Sequence, residues 1–235
     1  MRETVKLELS GLRSGYGTVS IVNGVTLSIQ SGEIFALMGK NGMGKTTLLK
    51  SILGLIKPSD GEVSVDSKPI TGRSTAELIA AGIGYAPQEQ PLFQDLSIRD
   101  NLRLALKTDR DLKPALERVF TYFPFLKERM QQKAGTLSGG EQKMLILSRA
   151  LMLKPSLLFI DEISEGLQPS VVSKIGEVLA HERDANGTTV ILVEQNLDFA
   201  LSVADRWAVL KLGAIDDQDQ NGPGTRERVL QHLKI

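Results

Sequence analysis

The sequence predicts an α/β protein with a largely parallel sheet, and three observations indicate this fold class. Short apolar runs that suit strands alternate with segments of helical periodicity, above all in the second half of the chain. Apolar residues make up 41% and charged residues 24%, the balance of an ordinary globular chain. A length of 235 residues is enough to bury a sizeable core. We therefore expect one domain over residues 1–235.

The first elements are mostly β-like. Val5–Leu9 alternates with period two, and Glu33–Met38 is an apolar run that ends at a glycine, as buried strands often do. Gly54 ends a helical pattern, and Asp60-Gly61 makes a turn. The predicted elements are strands at Val5–Leu9, Val19–Ile29, Glu33–Met38 and Val63–Val65 and a helix at Lys45–Leu53.

The middle of the chain has a different character. Between residues 97 and 152, approximately, Leu and Ala recur at helical spacing and β-branched residues thin out, which predicts a helical insertion. After it, strands and helices alternate again. The predicted elements are strands at Leu157–Ile160 and Thr188–Val193, helices at Ser170–Arg183, Leu197–Val203 and Arg226–Leu233, and a polar loop over Asp216–Gly224.

Composition excludes several classes of protein. The chain has no cysteine, which rules out disulfide scaffolds, zinc–thiolate sites and a cysteine nucleophile. Its two histidines are too few for a multi-histidine metal site, and its zero net charge lacks the basic excess that is usual for nucleic-acid binding. No apolar run approaches the ~18–20 residues of a membrane span. We expect a soluble, cytoplasmic chain that binds no nucleic acid and is held at a membrane only by another protein.

A phosphate-binding loop follows the strand that ends at Met38. The eight residues from Gly39 read Gly-Lys-Asn-Gly-Met-Gly-Lys-Thr and fit the pattern G-x-x-x-x-G-K-[ST]. Glycines let successive backbone N–H groups surround an anion, and the helix that follows offers its positive end. Lys45 would reach the β- and γ-phosphates, and the Thr46 hydroxyl would bind Mg²⁺. The predicted nucleotide contacts of this loop are Gly39, Lys40, Asn41, Gly42, Met43, Gly44, Lys45, Thr46 and Thr47.

A second motif ends the apolar strand Leu157–Ile160 with two carboxylates. At the carboxyl edge of a parallel sheet, Asp161 would hold Mg²⁺ through water, next to Thr46. Glu162 would accept a proton from the water that attacks the γ-phosphate.

A third motif identifies a family. Leu137-Ser138-Gly139-Gly140-Glu141-Gln142 precedes a helix, and together with the other two motifs it resembles the ATP-binding cassette family. The resemblance covers nearly the whole chain. It implies a P-loop NTPase domain with an antiparallel β subdomain and a helical signature subdomain. It also implies that Ser138, Gly139, Gly140 and Glu141 contact ATP held by a second subunit in a head-to-tail dimer.

Other residues gain roles only through this resemblance. Tyr16 matches the aromatic residue that stacks on adenine. Gln88 matches a glutamine that touches Mg²⁺ and senses the membrane partner, so the implied Mg²⁺ ligands are Thr46, Gln88 and Asp161. Ser164–Pro169 matches a loop that crosses the dimer interface.

The chain also departs from the family pattern. Gln195 stands where the family usually has a histidine, and it could hydrogen-bond the γ-phosphate but could not titrate. It is therefore a catalytic candidate beside Glu162, although it could simply face solvent. Ile163 replaces the usual proline after Glu162, and Gln168-Pro169 replaces a common Leu-Asp pair. These changes bear on the rate of hydrolysis more than on ATP binding.

The motif variants favour one subgroup. Val193-Glu194-Gln195-Asn196 and Asn41-Gly42-Met43-Gly44 resemble the ATPase subunits of importers for branched-chain amino acids, whereas Leu197-Asp198-Phe199-Ala200 is closer to urea and short-amide importers. The implied partners are transmembrane permease subunits, a second ATPase subunit and, indirectly, a solute-binding protein, at the cytoplasmic face of the membrane. The alternatives are a soluble ABC-type ATPase of DNA repair or translation and a regulatory subunit that binds nucleotide without turnover. No Asn-Lys-x-Asp guanine motif is present.

Overall fold

The computed structural model describes residues 4–89 and 92–233. The strands are β1 Val5–Tyr16, β2 Val19–Gln30, β3 Ile34–Met38, β4 Asp60–Val65, β5 Lys68–Pro69, β6 Ile83–Ala86, β7 Leu157–Asp161, β8 Thr189–Glu194, β9 Arg206–Lys211 and β10 Ala214–Gln220. The helices are α1 Lys45–Ile52, α2 Thr75–Ala80, α3 Ile98–Arg103, α4 Leu112–Tyr122, α5 Phe125–Glu128, α6 Gly139–Leu151, α7 Pro169–Asn186, α8 Leu197–Val203 and α9 Thr225–Leu233.

Two sheets form the framework. The larger has six strands in the order β10-β9-β3-β8-β7-β6, parallel except for β10 at one edge. The smaller is antiparallel, in the order β2-β1-β4-β5. The predicted α/β class with a largely parallel sheet and a separate antiparallel layer is confirmed.

The central strands are apolar on both sides because both faces of the larger sheet are covered. Every residue of β3, β7 and β8 is buried. On one face Phe35, Leu37 and Phe159 pack with residues of β1, β2 and α1 in one apolar cluster. On the other face Ala36, Leu158 and Leu192 join a second cluster with α6, α7 and α8. The carboxyl ends of β3, β7 and β8 therefore meet between two packed layers.

The described residues between β6 and β7 contain no strand of a sheet. They form α3 to α6, with two short 3₁₀ turns at Asp109–Asp111 and Ala134–Thr136. Leu102, Val119 and Leu145 anchor these helices in the second apolar cluster. This is the segment over which the sequence predicts a helical insertion.

One prediction about an element is wrong. Residues 216–220 form most of β10, not a polar loop, and pair with β9 from Gln220↔Arg206 to Ala214↔Lys211. The aspartates read as loop residues, but here their side chains pair with α9. Arg228 lies 2.6 Å from Asp217, and His232 lies 2.8 Å from Asp216. An edge strand can keep one polar side because tertiary partners satisfy it.

Within the two described ranges, no helix has the length and apolar character needed to cross a membrane.

Candidate functional site

The phosphate loop lies between β3 and α1, where the sequence places it. Gly39 approaches β9 so closely that a Cβ atom there would lie 2.6 Å from the carbonyl oxygen of Leu210. Gly44 caps α1 with φ of 100°, a left-handed conformation that glycine adopts without strain. The β9–β10 turn braces the loop, since the Gly213 N–H donates to the Met43 carbonyl at 3.1 Å. Sequence and packing thus fix the curl of the loop before any anion binds.

The Lys45 side chain is folded into the loop. Its Nζ donates to the carbonyl oxygens of Gly39 at 2.8 Å and Lys40 at 3.2 Å. The same atom lies 3.0 Å from Oε1 of Glu162, and both side chains are almost completely buried. The cation of the phosphate loop and the proposed general base therefore form an ion pair.

The two carboxylates that end β7 face α1 and the segment after β6. The Thr46 hydroxyl donates to Oδ1 of Asp161 at 3.4 Å. Nε2 of Gln88 donates to Oε2 of Glu162 at 2.7 Å and to Glu165 at 3.1 Å. The structure brings together Lys45, Thr46, Gln88, Asp161 and Glu162 although they come from three separate parts of the sequence.

This cluster carries an excess of buried negative charge. The carboxylates of Asp161 and Glu162, and that of Glu194 at the end of the neighbouring strand β8, each belong to a residue that is exposed by 5% or less. Lys45 is the cation buried with them. Burial raises the pKa of Asp161 to about 6, against the opposing effect of the Thr46 hydrogen bond. A divalent cation would relieve this excess.

The donor set suits Mg²⁺. Magnesium in nucleotide sites is held by one or two carboxylates, hydroxyls and phosphate oxygens, with waters completing the octahedron. Asp161, the Thr46 hydroxyl and the side-chain oxygen of Gln88 are hard oxygen donors of this kind. In the described part of the chain, no cluster of three or more His, Cys, Asp or Glu side chains is arranged to hold a metal. A shared site with phosphate oxygens fits this chain better than an all-protein cage.

The remaining nucleotide candidates lie outside this cluster. Tyr16 ends β1 in a hairpin and is 51% exposed, so its ring is free to receive a planar ligand. Its sheet reaches the phosphate loop through Ile21, whose side chain would lie 3.2 Å from a Cβ at Gly44. Gln195 follows β8 and is exposed.

The Ser-Gly-Gly turn begins α6 on an open surface. Ser138 and Glu141 form a reciprocal capping box, and Glu141 also accepts from Arg129 at 2.7 Å. This geometry occupies the Glu141 carboxylate, while Ser138 and Gly139 remain exposed. Across the described residues, no hydrogen bond or ion pair joins residues 138–141 to the phosphate loop of the same chain.

Sequence reasoning missed two members of the site. Nζ of Lys143 donates to the Gln88 carbonyl at 2.9 Å, which ties α6 to the segment that contacts Glu162. Glu194 ends β8 as Asp161 ends β7, and it is buried with its carboxylate bonded to Ser164. A carboxylate directly after a buried apolar strand was a signal that could have found Glu194.

Comparisons with known proteins agree with this geometry. The family model described as "ABC transporter" matches residues 22–165. The high-affinity branched-chain amino acid transport ATP-binding protein BraG of Pseudomonas aeruginosa is 39% identical over 202 residues, which cover 85% of this chain and 86% of that protein. The probable branched-chain amino acid transport ATP-binding protein LivF of Archaeoglobus fulgidus is 35% identical, over 100% of this chain and 96% of its own length.

A solved structure extends the likeness to three dimensions. The ADP conformation of an ATP-binding cassette of an ABC transporter superposes with a TM-score of 0.87 at 26% identity, covering 97% of this chain and 95% of the other. The family match spans more than half of the sequence, and the chain belongs to the ABC transporter family as one of its ATP-hydrolysing cassettes.

Proposed function

We propose that this chain is the ATP-hydrolysing subunit that energises a membrane importer, with branched-chain amino acids as the solute class. The observation that carries the chemistry is the meeting of Lys45, Thr46, Asp161 and Glu162 at the carboxyl edge of the sheet. The solute class rests on the likeness to BraG and LivF, because in this proposal these residues would contact nucleotide and not solute.

In this proposal each side chain has a separate task. Backbone N–H groups of residues 39–47 hold the phosphates, and Lys45 turns from Glu162 to the β- and γ-phosphates. Thr46, Asp161 and Gln88 would hold Mg²⁺, which would supply charge neutralisation on the transferred phosphoryl group. Glu162, released from Lys45, accepts the proton of the attacking water. Gln195 would contact the γ-phosphate, and Tyr16 would stack on adenine.

The turn at Ser138, Gly139 and Gly140 is proposed to act on a second subunit. Its exposure and its separation from its own phosphate loop support action in trans, with Glu141 shaping the turn through the capping box. The pair would enclose ATP between each phosphate loop and the partner's α6.

The permease is proposed to dock beside Gln88. A surface groove of about 300 Å³ is lined by apolar side chains, among them Ile79, Tyr85, Pro87, Leu104 and Leu153. Ile79 is 37% and Leu104 51% exposed, which is unusual for large aliphatic side chains in one patch. Because Pro87 adjoins Gln88, a partner seated here would act next to the catalytic cluster. We therefore propose that the chain lies at the cytoplasmic face of the membrane.

Substitution of Glu162 tests the chemical proposal. Glu162→Gln keeps shape and hydrogen bonding but cannot take a proton, so Mg-ATP should still bind while hydrolysis falls by about 10²–10⁴-fold. The measurement pairs equilibrium ATP binding with steady-state phosphate release by the subunit together with its permease. Wild-type turnover in the variant would remove Glu162 from the mechanism.

Uptake by proteoliposomes tests the solute. Vesicles that hold the whole importer should accumulate labelled leucine and isoleucine, and uptake should stop with Glu162→Gln. Accumulation of urea or a short amide in their place would overturn the solute assignment and leave the ATPase role intact.

A substitution in the groove tests the docking of the permease. Leu104→Asp should weaken association with the permease. Leu55 is equally exposed but lies outside the groove, so Leu55→Asp should leave association unchanged.

A further inference from the structure

A buried carboxylate that the proposed mechanism does not use lies at the end of β8. Glu194 is 1% exposed, and burial raises its pKa. It pairs across the sheet with Met38, the last residue before the phosphate loop. A carboxyl group is expensive to bury unless hydrogen bonds satisfy it. The partners of those hydrogen bonds therefore indicate the role of the Glu194 side chain.

Its bonds join two loops. Oε1 of Glu194 accepts from the Ser164 backbone N–H at 3.0 Å, and Oε2 accepts from the Ser164 hydroxyl at 2.8 Å. The backbone N–H of Asn196 also faces this carboxylate and acts to lower its pKa against the effect of burial. One side chain thus faces donor groups of the loop after β7 and of the loop after β8.

Each loop carries one of the candidate catalytic residues. Glu162 stands two positions before Ser164, and Gln195 lies between Glu194 and Asn196. Glu162 has φ of 45°, a left-handed conformation that costs a non-glycine residue about 1–2 kcal/mol. Such a conformation persists only where its surroundings impose it. The contacts that impose it are the hydrogen bond from the Glu162 N–H to the Val193 carbonyl at 2.8 Å and the bonds from Ser164 to Glu194.

We propose that Glu194 is a positioning residue for ATP hydrolysis: through Ser164 and Asn196 it holds the loops of Glu162 and Gln195 in the geometry that the reaction needs. This inference rests on the proposed function of Glu162. A carboxylate suits the task because it only accepts hydrogen bonds and faces three donors. An amide would turn an NH₂ group toward at least one of them, so the loops would shift although the volume is unchanged.

The test compares Glu194→Gln and Ser164→Ala with a matched control. Glu33 is a second buried carboxylate, at the opposite end of β3, bonded to the Gln30 N–H and to Arg206. We expect Glu194→Gln to lower kcat by about 10–100-fold, as loss of a supporting hydrogen bond does elsewhere. KM and the equilibrium affinity for Mg-ATP should stay within about threefold, since positioning acts on the reaction step. Glu33→Gln should lower thermal stability but leave kcat unchanged.

Double variants show whether Glu194 acts through its neighbours. Glu194→Gln with Ser164→Ala should be no slower than Glu194→Gln alone, because both changes break the same contact. Glu194→Gln added to Glu162→Gln should bring little further loss. A kcat within twofold of wild type for Glu194→Gln, or a loss in kcat matched by an equal loss of ATP affinity, would overturn the proposal. Should Glu194→Gln fail to fold, the smaller change Ser164→Ala decides by the same split of kcat and KM.

Failure of the proposed function would look different. Full turnover by Glu162→Gln would refute the role of that side chain whatever Glu194 does. A normal Glu194→Gln beside an inactive Glu162→Gln would refute only the positioning role.

Discussion

At the scale of single residues, the site holds side chains whose charges disfavour the nucleotide-free fold. Asp161 is 1% exposed and receives one long hydrogen bond from Thr46, and Glu162 adds a neighbouring negative charge. Nothing in a purely structural role requires such an arrangement. It is the arrangement expected where a cation and phosphates are to complete the electrostatics.

The first prediction concerns the stability of the protein without nucleotide. The pKa of Asp161 lies at about 6 in the fold and near 3.8 in the unfolded chain, so the native state holds this proton longer. Stability from this group is therefore lost as pH rises from about 4 to about 6. Asp161→Asn should therefore stabilise the nucleotide-free protein and raise its melting temperature, more at pH 7 than at pH 5. The expected gain in unfolding free energy is at most about 3 kcal/mol.

Thermal melts of both proteins at the two pH values measure this difference. Addition of Mg-ATP should reverse the order, because only wild type keeps the metal ligand. An equal effect of Asp161→Asn at pH 5 and pH 7 would contradict the assignment of the proton to Asp161.

At the scale of elements, one buried ion pair links α4 to α7. Glu182 is fully buried and accepts from Arg118 at 2.7 and 2.9 Å, from the Tyr122 hydroxyl at 2.6 Å and from Thr188 at 3.0 Å. Burial, together with the bond to Glu182, raises the pKa of Tyr122 to about 12. The helical segment is thus fastened to the α/β core at a defined point.

Removal of one partner should be costly. Arg118→Met leaves the Glu182 charge buried without its cation, and we expect a loss of about 3–5 kcal/mol in unfolding free energy. The exposed pair Lys174–Glu177, 3.1 Å apart on α7, provides the control. Lys174→Met should cost no more than about 0.5 kcal/mol. Urea unfolding of wild type and the two variants measures both losses in unfolding free energy. A loss below about 1 kcal/mol for Arg118→Met would show that the pair does not stabilise the contact between α4 and α7.

The elements also show how far the sequence could predict the fold. The strands beside the site were predictable because β3, β7 and β8 are short apolar runs that end at a glycine or at acids. β10 was not, because its polar residues resemble a loop until α9 supplies Arg228 and His232 as partners. The strand β9 was not predicted, although Trp207–Leu210 is an apolar and buried run. Helix α2 was not predicted either, because it has a single buried residue, Leu78, and so shows no apolar periodicity.

The site divides in the same way. The residues of the phosphate loop and the two acids at the end of β7 could be predicted from the sequence because motifs for contact with phosphate and metal have a fixed spacing. The bond between Lys143 and the Gln88 carbonyl and the bond between Glu194 and Ser164 join residues 55 and 30 positions apart. Only the packing of α6 and β8 brings those atoms together, so no local pattern announces these two bonds, although the position of Glu194 at the end of an apolar run could have marked that residue.

At the scale of the whole molecule, the proposed action of the Ser138 turn on a second subunit means that each subunit would contribute half of two nucleotide sites. Within the described residues no hydrogen bond or ion pair joins the phosphate loop to the exposed turn at Ser138, so we expect ATP to join two subunits. Glu162→Gln with Mg-ATP should elute from a sizing column at twice the mass of the same protein without nucleotide. Mg-ADP serves as the control and should leave the subunit monomeric. An elution volume unchanged by Mg-ATP would contradict the shared site.

The ion pair between Lys45 and Glu162 has a consequence for how nucleotides are told apart. While Nζ of Lys45 stays 3.0 Å from Oε1 of Glu162, the charge of the proposed base is neutralised and the Lys45 cation is not available to phosphate. A diphosphate offers Lys45 only the β-phosphate, whereas a triphosphate adds the oxygens of the γ-phosphate, so ATP should compete with Glu162 for Lys45 more strongly than ADP does. We therefore expect ATP to release Glu162 from its ion pair more completely than ADP does, so that the same contact distinguishes the two nucleotides.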